Sequence, residues 1–411
     1  MTHICILGAG FGGLYTALEL SQRPWDTPPE ITLVDRHDRF VFLPLLYELL
    51  TGEMEDWEVA PKIVDLLMPP SVIPQGQSSQ PPQLPCPIGF IQGEVSQISL
   101  DQKQVTLADG KILAFDCLVL ALGGITPVDQ VPGSSEYALP FRGLSDVQRL
   151  RQALHHWEKK DPQDQIRIAI AGAGASGIEL ACKLKDRLGA RAQIRLIDRG
   201  SSILRSFTEA SIQATIEALK QRQIRVELNT EVLLITSDRI QTRTQDLISQ
   251  DPVDGVIWTV GTEVAPVVRD LPLAKNERHQ LRLTSTLQTL DRPEIFALGD
   301  LALTIDAQGN AVPATAQAAF QQASYCAWNV WAYLTHRPLL PFRYEPLGEM
   351  LSLGTDTAVL SGLGLTLSGP FAYIARRLVY LSRMPTLDHQ VRVGWNWMTR
   401  PFLTELKRWM P

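Results

Sequence analysis

Apolar runs of strand length alternate along this chain with stretches of helical periodicity, and glycine-rich turns separate them. "HICIL" (3 to 7) reads as a short buried strand. After Gly13, Leu14, Ala17, Leu18 and Leu20 mark an amphipathic helix, and "EITLVD" (30 to 35) reads as a second strand. The same succession returns in "IRIAIA" (166 to 171), the helical "GIELACKL" and "QIRLID" (193 to 198). Two further apolar strands, "FDCLVLALGG" (115 to 124) and "EIFALGD" (294 to 300), run into glycines. Residues 312 to 334 read as a helix opening just after a proline, with Gln317 and Gln321 on one face of an otherwise apolar element. Strands alternating with helices predict an α/β chain with two Rossmann-like units. At 411 residues, two or three domains are expected.

Composition narrows the classes. With 20% charged residues and a net charge of -6, a general nucleic-acid binder is disfavoured. The five cysteines (5, 86, 117, 182, 326) are far apart and form no C-x-x-C, so neither a metal site nor a disulfide framework is expected, and a reducing compartment is. No secretory signal pattern opens the chain. The charge-free stretch from Thr357 to Ala375 is broken by Gly, Ser and Pro, and reads as hairpin and loop rather than a membrane span. The uncharged run from 69 to 87 holds seven of the 28 prolines and reads as an exposed loop.

The turns carry the chemistry. Gly8-x-Gly10-x-x-Gly13 lies between strand and helix: the first glycine permits the tight turn, the second lets backbone approach a pyrophosphate, and the third lets helix and strand pack closely. Asp35 follows Gly13 by 22 residues, where a carboxylate can accept from ribose hydroxyls. Gly172-x-Gly174-x-x-Gly177 and Asp198, 21 residues on, repeat the unit. One such motif is weak evidence, but two complete units 164 residues apart point to two dinucleotides, one held and one exchanged. Asp300, at a strand's C-terminal end, could hold ribityl hydroxyls; the bland alternative is an N-cap. Asp198 favours NADH, whereas the adjacent Arg199 could cover a 2′-phosphate.

These glycine units, with "FLPLLYELLTGEM" (42 to 54), "IWTVGT" (257 to 262), "ALGD" and "TAQAAFQQ", resemble the type II NAD(P)H:quinone oxidoreductases, two-dinucleotide-binding-domain flavoproteins. "ALPFRGLSD" and "RPLLPFRYEPLGEMLSLGTD" resemble the cyanobacterial and plastid branch. The resemblance implies an FAD domain over 1 to 140 and 264 to 345, an NAD(P)H domain over 141 to 263, and a C-terminal membrane-binding or dimerisation segment over 346 to 411. It implies ping-pong transfer from NAD(P)H to FAD and on to a quinone, in that branch demethylphylloquinone, with plastoquinone as the alternative acceptor. NADH and NADPH are both expected to serve.

Carried onto this sequence, the FAD residues are Gly8, Gly10, Phe11, Gly12, Gly13, Asp35, Arg36, Pro44, Leu45, Ala121, Gly123, Asp300, Ala316 and Gln317. Those for NAD(P)H are Gly172, Gly174, Ser176, Gly177, Glu179, Asp198, Arg199, Val260 and Gly261. Glu179 is implied to lie near the nicotinamide, its bland role being a first-turn carboxylate favoured by the helix dipole. Gln317 and Gln321 are implied to line a quinone tunnel; satisfied amides packed on backbone are the alternative, and Gln322 keeps that plain reading. A sulfide:quinone reductase-like enzyme would need Cys117, Cys182 and Cys326 to meet in space, and a redox sensor would bind both nucleotides without turnover.

From residue 371 onward seven basic residues (Arg376, Arg377, Arg383, Arg392, Arg400, Lys407, Arg408) face two acidic ones, and three of the nine tryptophans lie here. Phe371, Ile374, Ala375, Leu378 and Val379 recur at helical spacing, as do Phe402, Leu403, Leu406, Trp409 and Met410. A basic amphipathic tail of this kind suits an anionic membrane surface. A peripheral protein facing the cytoplasm or stroma, on a thylakoid or plasma membrane and homodimeric, is the expectation.

Overall fold

The computed structural model describes residues 1–68, 86–362 and 364–409, apart from the side chains beyond 400. Nearly all of the proline-rich run lies outside the described residues, as do Met410 and the side chains of the other apolar positions expected after Pro401.

Two five-stranded parallel sheets form the body. The first has the order 295–297, 117–120, 3–7, 30–35, 88–92, every neighbour parallel. The second has the order 225–227, 192–197, 166–171, 255–258, 138–140, again all parallel. In each, the glycine-turn strand is central and the strand ending in the acid lies beside it. The central strands are covered on both faces, which is why "HICIL" and "IRIAIA" are nearly continuous apolar runs rather than alternating ones. The helices after the turns are α1 (Phe11–Ser21) and α2 (Ala175–Leu188).

The expected division of the chain needs one adjustment. Ala138–Pro140 pairs with 256–258 in the second sheet, so that unit begins before residue 141. Glu263–Val264 pairs antiparallel with Gly124–Ile125, laying the two crossings between the sheets side by side.

The predicted helix with the glutamines is α3 (Ala316–Leu334), capped by Thr315, whose Oγ1 accepts from Ala318 N–H at 3.2 Å. It packs along α1 through buried Ala319, Ala323 and Ala327, whose small side chains allow close approach. Beyond it, Glu349–Ser352, Ala358–Gly362 and Leu365–Gly369 make an antiparallel sheet. Then come α4 (Pro370–Ser382) and α5 (Leu387–Trp409). The stretch 357 to 375 is therefore hairpin plus the start of α4, and no helix among the described residues is long and apolar enough to cross a membrane.

Candidate nucleotide and flavin site

The two glycine turns are near copies. Gly8 has φ +99° and Gly172 has φ +108°, values that favour glycine. A Cβ on Gly13 would sit 1.8 Å from Gly8 O, and one on Gly177 would sit 1.9 Å from Gly172 O. The helix backbone thus lies so close to each turn that only glycine leaves room there. A Cβ on Gly10 or Gly174, by contrast, would meet nothing within 4 Å. These two glycines face the open space ahead of the helix N-termini, and neither terminus is capped by a side chain or carries a first-turn acid. Uncapped N–H groups facing open space fit a pyrophosphate in both sites.

The acids are set alike. Ala9 N–H donates to Asp35 Oδ2 at 2.7 Å and His37 N–H to Oδ1 at 2.8 Å. Ala173 N–H donates to Asp198 Oδ2 at 2.8 Å and Gly200 N–H to Oδ1 at 2.7 Å. Each carboxylate is thus held at the strand end beside the turn it serves. Asp198, Arg199 and Val260 border one cavity of about 380 Å³, together with Trp258 and Arg205. Gly261, at φ +83°, follows beside Pro127.

On the flavin side the expected residues divide by role. The Phe11 ring packs edge-on to Phe40 and Phe42, so its side chain is core and its backbone belongs to the turn. Leu45 is fully buried, Pro44 O accepts from Arg376, Arg36 is exposed, and Gly123 takes φ +65°. A Cβ on Gly8 would meet Ala121 O, which places Ala121 against the turn. Asp300 lies within the short helical turn Gly299–Leu301, so the N-cap reading does not hold. Its Oδ2 accepts from Arg142 Nη2 at 2.6 Å, an ion pair joining the first sheet's end to the second unit. Arg142 was not legible as a site residue, since its partner lies 158 positions away.

Gln317 and Gln321 do share a face of α3, and backbone meets both amides. Gln321 Nε2 donates to Glu345 O at 2.8 Å and its Oε1 accepts from Glu345 N–H at 3.0 Å. The Gln317 amide, oriented so that both ends are satisfied, accepts from Leu347 N–H at 2.8 Å and donates to Gly348 O at 3.3 Å. The pair straps residues 345–348 to α3. Gln322, given only a plain reading, has a sharper place: its Oε1 accepts from Gly299 N–H at 2.8 Å and its Nε2 donates to Thr304 Oγ1 at 2.9 Å. It pins the turn that carries Asp300.

Glu179 is the fifth residue of α2 rather than a first-turn acid, so the dipole reading fails. It is buried, and Oε1 accepts from Ser352 N–H at 2.8 Å and Arg376 Nη2 at 3.2 Å. Burial pushes its carboxyl up to about 7, against the lowering pull of Arg376. A carboxyl titrating there can hold and release a proton at neutral pH. Around it Arg376 Nη1 lies 2.5 Å from Glu48 Oε1, and Lys183 pairs with Glu53, all at the junction of α2, α4 and residues 48 to 53. Tyr47 O–H reaches Ser176 Oγ at 2.9 Å in the same junction.

All five cysteines are free and buried. Burial pushes the Cys182 and Cys326 thiols up to about 12, which leaves them poor nucleophiles. Among the described residues no cluster could hold a metal ion.

Residues 2–323 match the model of the pyridine nucleotide-disulphide oxidoreductase family. The chain is 52% identical to a demethylphylloquinone reductase of Synechocystis, covering 98% of each chain. It is 39% identical to the chloroplastic/mitochondrial alternative NAD(P)H-ubiquinone oxidoreductase C1 of Arabidopsis thaliana, over 97% of this chain and 80% of the relative. The solved structure of NDH2 from Plasmodium falciparum in complex with NADH superposes with a TM-score of 0.82 at 17% identity, covering 97% of this chain and 98% of that one, a likeness of fold. With its paired glycine turns and acids, the chain belongs to the pyridine nucleotide-disulphide oxidoreductase family and is an oxidoreductase.

Proposed function

We propose that this enzyme passes two electrons from NAD(P)H by way of FAD to a membrane quinone in ping-pong order, with demethylphylloquinone as the acceptor. The observation that carries the reading is the duplicated dinucleotide cradle in one chain, alongside a 52% identical relative named for that reduction. Bound FAD would supply the relay chemistry, accepting electrons from a nicotinamide and releasing them to a quinone. The turn at Gly8, Gly10 and Gly13 with Asp35 would hold it. The turn at Gly172, Gly174 and Gly177 with Asp198 would hold NAD(P)H. Asp300, kept in place by Arg142 and Gln322, would meet the ribityl chain. Glu179 would hold a proton on its other carboxyl oxygen, Oε1 being taken by Ser352 N–H and Arg376 Nη2, beside the Glu48–Arg376–Lys183 cluster. Steady-state turnover with NADH and NADPH against a panel of quinones, including a demethylated naphthoquinone, tests the assignment; absence of turnover with every quinone would move the chain to a sensor role.

Gln317 and Gln321 would act on the acceptor side by fixing residues 345–348 as its wall. Gln317→Leu or Gln321→Leu each removes two backbone contacts and should slow flavin reoxidation by quinone about tenfold. Reduction by NAD(P)H should be untouched, as stopped-flow absorbance of the two half-reactions will read.

Quinones of this class dissolve in lipid, so the same proposal includes a membrane-facing surface. On α4 the polarity is inverted: Arg376 is fully buried while Phe371 is 82%, Ile374 55% and Leu378 59% exposed. Leu365 of the hairpin and Trp395 and Met398 of α5 are exposed as well. Three of the tail cations do not serve a lipid surface. Arg376 pairs with Glu48, Arg377 stacks over the Trp397 ring at 4.3 Å, and Arg400 donates to Glu53 O and Gly52 O at 2.6 Å each. The attraction would therefore rest more on apolar area than on charge. Phe371→Glu with Leu378→Glu should lower partition onto lipid vesicles at least tenfold, from about 1.5–3 kcal/mol for each side chain. A second copy of the chain covering this face would instead appear as a dimer lost on substitution, with vesicle binding unaffected.

A further inference from the structure

Carboxylates fasten the C-terminal sheet to the second unit. Glu349, which opens the sheet, lies at the N-terminus of the helix Glu209–Gln221. Its two oxygens share Thr208 N–H at 3.0 Å each, and Oε2 also accepts from Thr208 Oγ1 and Ser211 Oγ at 3.0 Å. A negative charge is favoured at that end of a helix. In the turn after the strand, Thr355 N–H donates to Asp186 Oδ2 of α2 at 2.6 Å, and Arg222 aims the same carboxylate with bonds of 2.8 and 3.1 Å. Gly354 holds φ +125° there, and a Cβ on it would strike Asp186 Oδ2 and Arg222 Nη2, so the turn lies flat on those side chains. Glu179 adds a third link through Ser352 N–H.

The last helix is fastened to the first unit instead. In α5, His389 Nε2 lies 2.9 Å from Glu58 O, Asn396 Nδ2 donates to Glu58 Oε1 at 3.1 Å, and Arg400 meets Gly52 O and Glu53 O. Between them α4 packs on the sheet through Ala358, Ala372 and Tyr373, and its Arg376 reaches both units. The C-terminal module therefore has one foot on each unit. Its apolar outer surface is divided the same way: Leu365 and Leu367 are exposed on the sheet, Trp395 and Met398 on α5, and Phe371, Ile374 and Leu378 on α4, which packs against both. Where the chain crosses between the units, 124–125 pairs with 263–264 over two residues only, too short a ladder to fix the angle between two sheets.

We infer that the C-terminal sheet with α4 and α5 is a clamp that sets how the two units face each other, with Glu349 and Asp186 as its positioning residues, and that a lipid surface engaging both feet at once favours the same arrangement. The inference rests on the reading of the paired turns as facing FAD and NAD(P)H sites and of the outer face as lipid-facing. A dinucleotide reaching from the second cradle to the flavin needs the two units correctly placed. A mononucleotide lying in the second cradle alone does not. Lipid and dinucleotide are thus linked without touching, because each binds better to one relative placement of the units.

The test titrates the flavin-loaded full chain by calorimetry with NAD⁺, which does not reduce the flavin and is long enough to reach both units, and with 5′-AMP, which is confined to the second. Glu349→Ala combined with Asp186→Ala leaves Glu179 and both glycine turns intact, and both carboxylates border solvent, so the variant is expected to fold. It should bind NAD⁺ at least about fivefold more weakly, the lower end of ordinary couplings between sites, with 5′-AMP affinity unchanged. Vesicles of equal parts phosphatidylcholine and phosphatidylglycerol should return most of the lost NAD⁺ affinity, and adding Phe371→Glu and Leu378→Glu should abolish that rescue. Unchanged NAD⁺ affinity, an equal loss for NAD⁺ and 5′-AMP, or a loss that vesicles leave in place although the chain binds them, would overturn the inference. If the wild type did not partition onto vesicles at all, the lipid-facing reading would fail, while the comparison of NAD⁺ with 5′-AMP in solution still decided the role of Glu349 and Asp186.

Discussion

Replacing Arg376 with leucine is expected to cost about 3–5 kcal/mol of stability, the loss typical of a buried charge stripped of its partner. Arg376 lies on the covered face of α4, and its guanidinium meets Glu48 Oε1 at 2.5 Å, Glu179 Oε1 at 3.2 Å and Pro44 O at 2.6 Å. Glu48 is wholly buried, and its other cation, Lys183 Nζ, is 3.9 Å away. Burial pushes the Glu48 carboxyl up, but Arg376 and then Lys183 overcome that and hold it below its usual value. In the wild type Glu48 therefore contributes stability above the ordinary carboxylate range, lost as pH falls through its lowered value. Without Arg376 the sign reverses: Glu48 would be raised, and stability would be lost as pH rises. Denaturant melts should accordingly show a larger deficit at pH 8 than at pH 5. Arg376→Leu with Glu48→Gln should recover much of it, since removing both partners leaves no orphaned charge. Equal deficits at the two pH values, with no recovery in the double variant, would show that the guanidinium matters only as volume.

Glu179 works in the other direction in the intact protein. Its carboxyl is raised to about 7, so its contribution is fully present below the ordinary carboxylate pKa and is lost as pH rises through about 7. Part of the stability profile between pH 5 and 8 should vanish in Glu179→Gln. The same junction thus ties the C-terminal helices to both units, since Ser352 and Arg376 converge on Glu179 of α2 while Arg376 also pairs with Glu48.

The second large effect is expected at the third glycine of each turn. Gly13→Ala puts a Cβ 1.8 Å from Gly8 O, and neither atom belongs to a flexible side chain. The helix must move off the strand, and the uncapped N–H groups that would meet a pyrophosphate move with it. Gly13→Ala should purify without flavin absorbance. Gly177→Ala has the same geometry at 1.9 Å and should keep its flavin while losing nucleotide-driven bleaching. The two variants separate the sites, because each turn serves its own sheet. Flavin retained in Gly13→Ala at the wild-type level would contradict the cradle assigned to the first turn.

The glycine turns and their acids were legible because the whole device is local: strand, turn, helix and next strand lie within about 30 residues, the span of one such unit. The shared face of Gln317 and Gln321 was legible for the same reason, as helical spacing sets it. What the two amides touch was not, since residues 345–348 arrive from beyond the end of α3. The tail was misread in one respect. Arg376 and Arg377 sit in a helical pattern where basic residues ordinarily face water, and only the tertiary position of Glu48 and Glu53 draws them inward. Phe371, Ile374 and Leu378 are left facing outward, while Ala372, Tyr373 and Tyr380 are buried. Asp300 was found at its strand end, while Arg142 and Gln322, which fix it, come from distant elements.

The central claim is that one chain joins a nicotinamide site and a quinone site through a flavin, and anaerobic absorbance of the purified flavoprotein tests it most directly. Stoichiometric NADPH or NADH should bleach the flavin bands, and a demethylated naphthoquinone added afterwards should restore them within the turnover time. Bleaching that no quinone reverses, or flavin that neither nucleotide reduces, would contradict the account.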